Sequence, residues 1–540
     1  MMEIINAKKD SAECLLFGTG TGDVFASGVL ASAGENHPAR EAEPTKVGTP
    51  FHFPSLAVCD RGGYENGMKS PIASSSGVGR RDWLKAATLG SAALFAGVKA
   101  SAQPAARPAR KVRGVVFMVS DGMSPGVLTL ADAYSKLTRQ RGTQWWSLLN
   151  DRSAARGLMD TASANSMVTD SAAASSAWGG GERVNNGSIN VNPAGKELTP
   201  IAAVLKKTGA RVGLVSTATI THATPAGFAA CVSKRGEEDD IAPQYLNRVD
   251  VILGGGSGHF SAKDRGDRRD LSGEFAAAGY GIVNNRDALL AARDEKLLGT
   301  FTRGHLPYSI DRNSDPALAA QVPTLTEMAS AALGRFLASD KPFLLQIEGA
   351  RIDHAAHLND IGALLGDQLA FDDALASVIA QIGQRDDILL VVTSDHGNSN
   401  PGLNGMGSGY TESTQRFANI IGLKASHERL FAEWAQTPHR TTDALTGLIA
   451  RQLGFTLKTD EAVALIEIFE NHPVVEWNEQ LSKPEGLLGQ FAGNHTGIGW
   501  TGTTHTSDPT LISAIGPQAD RFAGMVRNSD VFGHLVEMLA

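Results

Sequence analysis

A serine stands in the run Val168-Thr169-Asp170-Ser171-Ala172 of a chain that also carries three separate groups of metal-type ligands. These are Asp121; Glu348, Asp353 and His357; and Asp395-His396 followed by His505. A serine hydroxyl is a poor nucleophile at neutral pH until an adjacent dication lowers its pKa, so this company suggests a nucleophile held beside a metal pair. The chemistry it predicts is phosphoryl transfer.

Asp353 and His357 are four residues apart, so on a helix they share one face and can hold one metal. Asp395-His396 offers a second nitrogen and oxygen pair, and a histidine from the C-terminal region would complete the first site while leaving a position open for substrate. Each pair alone is more often a surface pair or a helix-terminal charge. Their weight comes from where they stand relative to the strands.

Short apolar runs rich in Val, Ile and Leu recur at 115–119, 212–215, 249–253, 343–347 and 388–392, the pattern of strands buried on both faces. Helical patterns at 201–207, 325–337 and 363–382 lie between them. The alternation predicts an α/β fold with a large, mostly parallel central sheet and helices on both faces. Asp121, Glu348 and Asp395 each closely follow a predicted strand, and in such sheets ligands gather at the carboxyl ends of the strands. One sheet edge should therefore collect them.

The hundred or so residues between His396 and His505 exceed a bare connection and hold helical patterns at 428–435, 442–453 and 460–470, which predicts a helical cap inserted over about 400–494. A second, less regular insertion is expected over about 255–320. The composition, 42% hydrophobic and 20% charged over 540 residues, is that of a globular chain with a large core. A formal charge of -8 lacks the basic excess of a general nucleic-acid binder, so an anionic substrate must be attracted locally, by cations or individual arginines.

Arg80-Arg81 stands before a mildly apolar stretch at 86–98 and Ala100-Ser101-Ala102, the order of a twin-arginine export signal with a small-residue cleavage site. The apolar stretch is too short and weak to span a membrane. Residues 68–102 are thus expected to be the signal and 103–540 the mature catalytic domain, with 1–67 a non-native upstream extension or a disordered segment. Of the three cysteines, Cys14 and Cys59 would be lost with the leader, leaving Cys231 in an apolar run as a buried structural thiol.

Six motifs in order, Asp121-Gly-Met, Thr169-Asp-Ser-Ala-Ala, His222-Ala-Thr-Pro, Glu348-Gly-Ala-Arg-Ile-Asp353-His-Ala-Ala-His357, Thr393-Ser-Asp395-His396 and His505-Thr, closely resemble the alkaline phosphatases from about residue 115 to the C-terminus. The resemblance implies hydrolysis of phosphate monoesters through a phosphorylated Ser171. It implies one zinc on Asp353, His357 and His505, and a second on Asp121, Asp395 and His396. A magnesium would lie between Asp121, Thr224 and Glu348, and Arg235, steered by Asp170, would clamp phosphate. His222 and His354 match a subset of the family and leave the third metal open between magnesium, cobalt and zinc, or assign these histidines a supporting role. His495-Thr-Gly imitates the terminal motif more literally, but the apolar 511–515 run after His505 favours His505. The signal segment predicts an exported, periplasmic or secreted protein handled by the twin-arginine machinery, and, with no cysteine following the cleavage site, no stable membrane anchor is expected; a homodimer is left open.

The competing readings are a phosphodiesterase or nucleotide pyrophosphatase of the same superfamily and, from another class, a non-catalytic periplasmic metal- or phosphate-binding protein. Ser171, Thr224, Glu348 and Arg235 together favour the monoesterase, and no essential ligand is missing. A sulfatase is excluded by the lack of a Cys-x-Pro-x-Arg motif.

Overall fold

The computed structural model describes residues 111–472 and 477–540, so the twin-arginine segment and the 1–67 stretch lie outside the described residues. Within them, ten strands form one sheet. These are β1 (Gly114–Ser120), β2 (Ala155–Met159), β3 (Arg211–Thr219), β4 (Val251–Gly255), β5 (Gly281–Val283), β6 (Leu297–Thr300), β7 (Phe343–Gly349), β8 (Ile388–Thr393), β9 (Thr510–Ile515) and β10 (Gly524–Val526). Their order is β10-β2-β9-β8-β1-β7-β3-β4-β6-β5, parallel except where β9 runs against β8 and β2. The mostly parallel α/β sheet expected from the alternating runs is present.

The apolar runs are continuous because both faces of the sheet are covered. Val116 and Met118 of β1 pack into one core cluster while Val115, Phe117 and Val119 pack into the other, as the two-residue strand period requires. The helices that matter for the site are α1 (Pro125–Arg139), α2 (Ser171–Gly180), α3 (Ala223–Ala229), α4 (Leu325–Leu337), α5 (Arg351–His357) and α6 (Ile361–Ile382). α4 begins with a complete capping box between Thr324 and Glu327, a local signal that fixes its start.

Four further helices, α7 (His427–Gln436), α8 (Thr442–Leu453), α9 (Thr459–Phe469) and α10 (Pro484–Thr496), pack around their own apolar cluster, including Leu430, Trp434, Leu445 and Leu465. This helical module lies within the stretch expected to form a cap. The 255–320 stretch differs from the irregular insertion expected of it, because β5 and β6 extend the main sheet. Strands of three and four residues are too short to show a period in sequence.

Phe117 sits at the centre of this packing, fully buried, with ring centroids 5.2 Å from Trp178 and 5.7 Å from Phe228. Phe117→Ala is expected to cost about 3–5 kcal/mol and visibly lower the thermal unfolding midpoint. Leu137→Ala, at a side chain 41% exposed, should change it little in the same calorimetric comparison.

Candidate active site

Strand register assembles the first carboxylates. Val119 of β1 is paired with Glu348 of β7 on one side and with Thr393 of β8 on the other, so Asp121 and Asp395, each two residues further on, end adjacent strands beside Glu348. The backbone then turns sharply. Gly122 has φ of +66°, its N–H donates to Asp395 Oδ1 at 3.0 Å, and a Cβ there would overlap Asp353.

Ser171 is the first residue of α2, and Asp170 is its N-cap, accepting from Ala173 N at 2.9 Å. The other Asp170 oxygen accepts from Gly187 N at 2.9 Å and from Arg235 Nη1 at 3.1 Å. One carboxylate therefore fixes both the serine-bearing helix end and the arginine, whose own N–H donates to Gly187 O at 2.7 Å. α2 and α3 meet closely at Gly179 and Gly227, and Ser175 Oγ donates to Thr224 O at 2.6 Å, which holds Thr224 beside the helix that begins with Ser171.

Two groups of potential metal ligands occur among the described residues, Asp353/His396/His505 and Asp121/Asp395/His396, each with ligand atoms within 4.8 Å of one another. His396 belongs to both, and its Nε2 lies 3.1 Å from Ser171 Oγ and 3.2 Å from Asp395 Oδ2. His357 adjoins the first group, with Nε2 3.0 Å from His505 Nε2 and 3.4 Å from Asp353 Oδ2.

The tautomers are dictated by the neighbours. His357 Nδ1 faces Thr503 O at 2.7 Å and His505 Nδ1 faces Thr169 O at 2.8 Å; a carbonyl only accepts, so both Nδ1 atoms carry the proton. Both Nε2 atoms then face the same space beside Asp353; without a cation one of them carries a proton, since Asp353 raises His357 against the pull of burial, and a cation can take that proton's place. Asn398, three residues after Asp395, donates from Nδ2 to Asp353 Oδ1 at 2.7 Å and orients that carboxylate.

Deeper in the site, both Asp121 oxygens, Glu348 Oε1, Asp395 Oδ2 and Thr224 Oγ1 are buried without a hydrogen-bond partner among the described residues. Glu348 Oε2 accepts from Ser216 Oγ at 2.6 Å. Burial, then the charges of Asp395, Asp353 and Glu348, push the Asp121 carboxyl well above the usual range. Burial also raises Glu348 and Asp395. Burial opposes ionisation of Asp353 as well, but His357 and His505 hold it well below its ordinary value. Unpaired buried oxygens of this kind fit divalent cations, with the imidazole and carboxylate donors suited to zinc and the all-oxygen set of Asp121, Thr224 and Glu348 to magnesium.

His222 and His354 are built differently. Arg235 Nη2 donates to His222 Nε2 at 3.2 Å and Arg351 Nη1 donates to His354 Nδ1 at 2.7 Å, since a guanidinium only donates. Their remaining nitrogens therefore carry protons and offer no lone pair to a metal; that of His222, Nδ1, is buried without a partner among the described residues. Both rings pack edge-on at 5.5 Å, and both touch His305, at 5.5 and 4.6 Å respectively. Burial pushes His305 down to about 3. Sequence reading had no signal for His305, which arrives from a loop far from every motif and is fixed by Thr219 N donating to its Nδ1 at 3.0 Å. His495 lies elsewhere, stacked on Phe455 at 4.3 Å within the helical module. Cys231 is half-buried, donates to Leu198 O, and has its thiol pushed up to about 11 by burial, the state of an unreactive thiol.

The sequence pattern of the family "Alkaline phosphatase" matches residues 112–540. The chain belongs to the alkaline phosphatase family. Alkaline phosphatase 4 of Bacillus subtilis is 29% identical over 462 residues, covering 81% of this chain and 92% of that protein. The streptomycin-6-phosphate phosphatase of Streptomyces griseus is 29% identical over 516 residues, 85% of this chain and 98% of that protein. The crystal structure of Thermus thermophilus alkaline phosphatase superposes with a TM-score of 0.75 at 35% identity, covering 80% of this chain and 92% of that one. This alkaline phosphatase is a metal-binding hydrolase of phosphate monoesters.

Raised carboxyls in the metal-free site hold protons that a metal must displace. Titrating the chelated protein with zinc and magnesium in weak buffer should release protons, more per chain at pH 6 than at pH 8, as an indicator dye will register. Gly122→Ala should lower zinc affinity by roughly tenfold or more, read by competition with a chromogenic chelator.

Proposed function

We propose that Ser171 is the nucleophile and that its Oγ attacks the phosphorus of a phosphate monoester, expelling the alcohol and forming a phosphoserine that water then cleaves to inorganic phosphate. The observation that carries this reading is the placement of Ser171 at a buried helix N-terminus, 3.1 Å from His396 Nε2 within a cluster of orphaned carboxylate oxygens. The first turn of α2 presents backbone N–H groups and a positive dipole end, which favours an anion bonded to Ser171. Arg235 takes two phosphate oxygens through its planar fork, and Asp170 keeps that fork aimed.

Asp353, His357 and His505 would hold one zinc, and Asp121, Asp395 and His396 a second. Asp121, Thr224 and Glu348 would hold magnesium, and the tautomers of His222 and His354 support placing both outside the ligand set. When bound, the metals lower the pKa of the serine hydroxyl and of the hydrolytic water and neutralise developing charge. Asn398 and the carbonyls of Thr503 and Thr169 keep Asp353, His357 and His505 oriented before any metal arrives.

We further propose that the chain is exported by the twin-arginine route to the periplasm or beyond and cleaves small phosphate esters there. Two facts support this: Arg80-Arg81 and Ala100-Ser101-Ala102 precede the family match, which starts at residue 112, and among the described residues no helix is long and apolar enough to cross a membrane.

The test is hydrolysis of p-nitrophenyl phosphate against its bis-ester after chelation and restoration of zinc and magnesium. Metal-dependent monoester preference is expected, and diester preference would remove the Arg235 clamp from the reading. Ser171→Ala should lose on the order of a thousandfold or more in turnover and leave no acid-trapped phosphoprotein.

A further inference from the structure

Arg351, at the start of α5, is a buried cation with an unusual set of partners. Its side chain is 3% exposed, its Nε has no hydrogen-bond partner among the described residues, and its guanidinium lies 3.8 Å from the centre of the Tyr308 ring. Nη1 donates to His354 Nδ1 at 2.7 Å and Nη2 donates to Glu428 Oε2 at 2.6 Å. Taking a guanidinium out of water for one half-exposed carboxylate, one aromatic face and one neutral imidazole is a poor exchange for stability alone. The arrangement makes sense if the cation orients something.

What it orients is His354, and the contacts continue from there. His354 packs edge-on against His222, both rest on His305, and His222 Nε2 accepts from Arg235 Nη2. Arg235 is in turn bonded to Asp170, the cap of the helix that begins with Ser171. His305 gives this stack a fixed floor, because Thr219 N anchors it to the end of β3. At the outer end, Glu428 is set by its own element. It lies in the first turn of α7, whose cap Ser426 donates to Asp311 at 2.6 Å while His427 N donates to Asp360 at 2.6 Å.

We propose that Glu428 is a positioning residue for phosphate binding: through Arg351, His354 and His222 it holds the Arg235 guanidinium in register, tying the helical module to the phosphate subsite. The module is then a strut for the site as well as a cover beside it. Without Glu428, Arg351 is released from its carboxylate and can swing toward solvent. His354 then loses the donor that fixes its tautomer, and its ring no longer pins His222. Arg235 keeps Asp170 but loses its second anchor, so the penalty falls on phosphate oxygens rather than on metal binding or on the nucleophile.

The inference rests on Arg235 as the phosphate clamp, and the experiment separates the two. In the zinc- and magnesium-loaded full chain, Glu428→Ala should raise both KM for p-nitrophenyl phosphate and the inhibition constant of inorganic phosphate by roughly three- to tenfold. kcat should move less and zinc content stay unchanged, while the unfolding midpoint falls because a buried guanidinium loses its carboxylate. Glu428→Asp should restore most of the loss. Nitrogen-15 spectra of histidine-labelled protein should show one imidazole leaving the pure Nε2–H form in Glu428→Ala. The Glu428→Ala/His354→Ala double variant should be no worse than His354→Ala alone, because both act along one path. Wild-type phosphate inhibition in Glu428→Ala, or additive losses in the double variant, would overturn the proposal while leaving the clamp intact. If Arg235→Ala itself leaves phosphate inhibition unchanged, the clamp reading fails first.

Discussion

Four carboxylates, Asp121, Glu348, Asp353 and Asp395, are gathered in one buried site at the strand ends, and most of their surroundings exist to make that tolerable. Carboxylates packed together out of water either take up protons or bind cations. Burial, and then its carboxylate neighbours, push Asp121 toward protonation, whereas His357 and His505 hold Asp353 well below its ordinary value. The uneven spread separates an oxygen-rich half from an imidazole-bearing half. It matches the division of donors expected for a harder and a softer dication.

The histidines divide by the partner of one ring nitrogen. His357 and His505 donate from Nδ1 to backbone carbonyls and turn Nε2 toward Asp353, whereas His222 and His354 accept from arginines and so carry their proton on the other nitrogen. Ring identity alone does not distinguish them: all four lie near carboxylates. A carbonyl or a guanidinium a few ångströms behind the ring decides whether it can hold a metal.

The helical module completes this arrangement from outside the sheet. Its own apolar cluster lets it pack as a unit, and it is attached to Asp311, to Asp360 at the start of α6, and to Arg351 of α5, the helix bearing Asp353 and His357. That helix is therefore held from two sides, by the sheet through the Arg351 N–H bond to Thr217 and by the module through Glu428.

Much of this was legible in the chain. Both-faces burial writes long Val, Ile and Leu runs, so β1, β3, β7 and β8 could be read directly, and helices such as Leu325–Leu337 carried their own period and cap. The strand-end positions of Asp121, Glu348 and Asp395, and the four-residue spacing of Asp353 and His357, follow from the same local rules. β2, β5, β6 and β10 escaped because short or edge strands such as Ala155–Met159 take their identity from neighbours rather than from periodicity. Choosing His505 over His495 required the neighbouring strand β9 as well as the motif. His305, Asn398 and the Glu428–Arg351 pair were invisible, since nothing local marks a loop or module residue that meets the site only after the chain has folded. Local sequence determined which side chains could do chemistry and which strands would carry them. Tertiary structure alone decided protonation, tautomer and aim, because those depend on burial and on partners tens to hundreds of residues away.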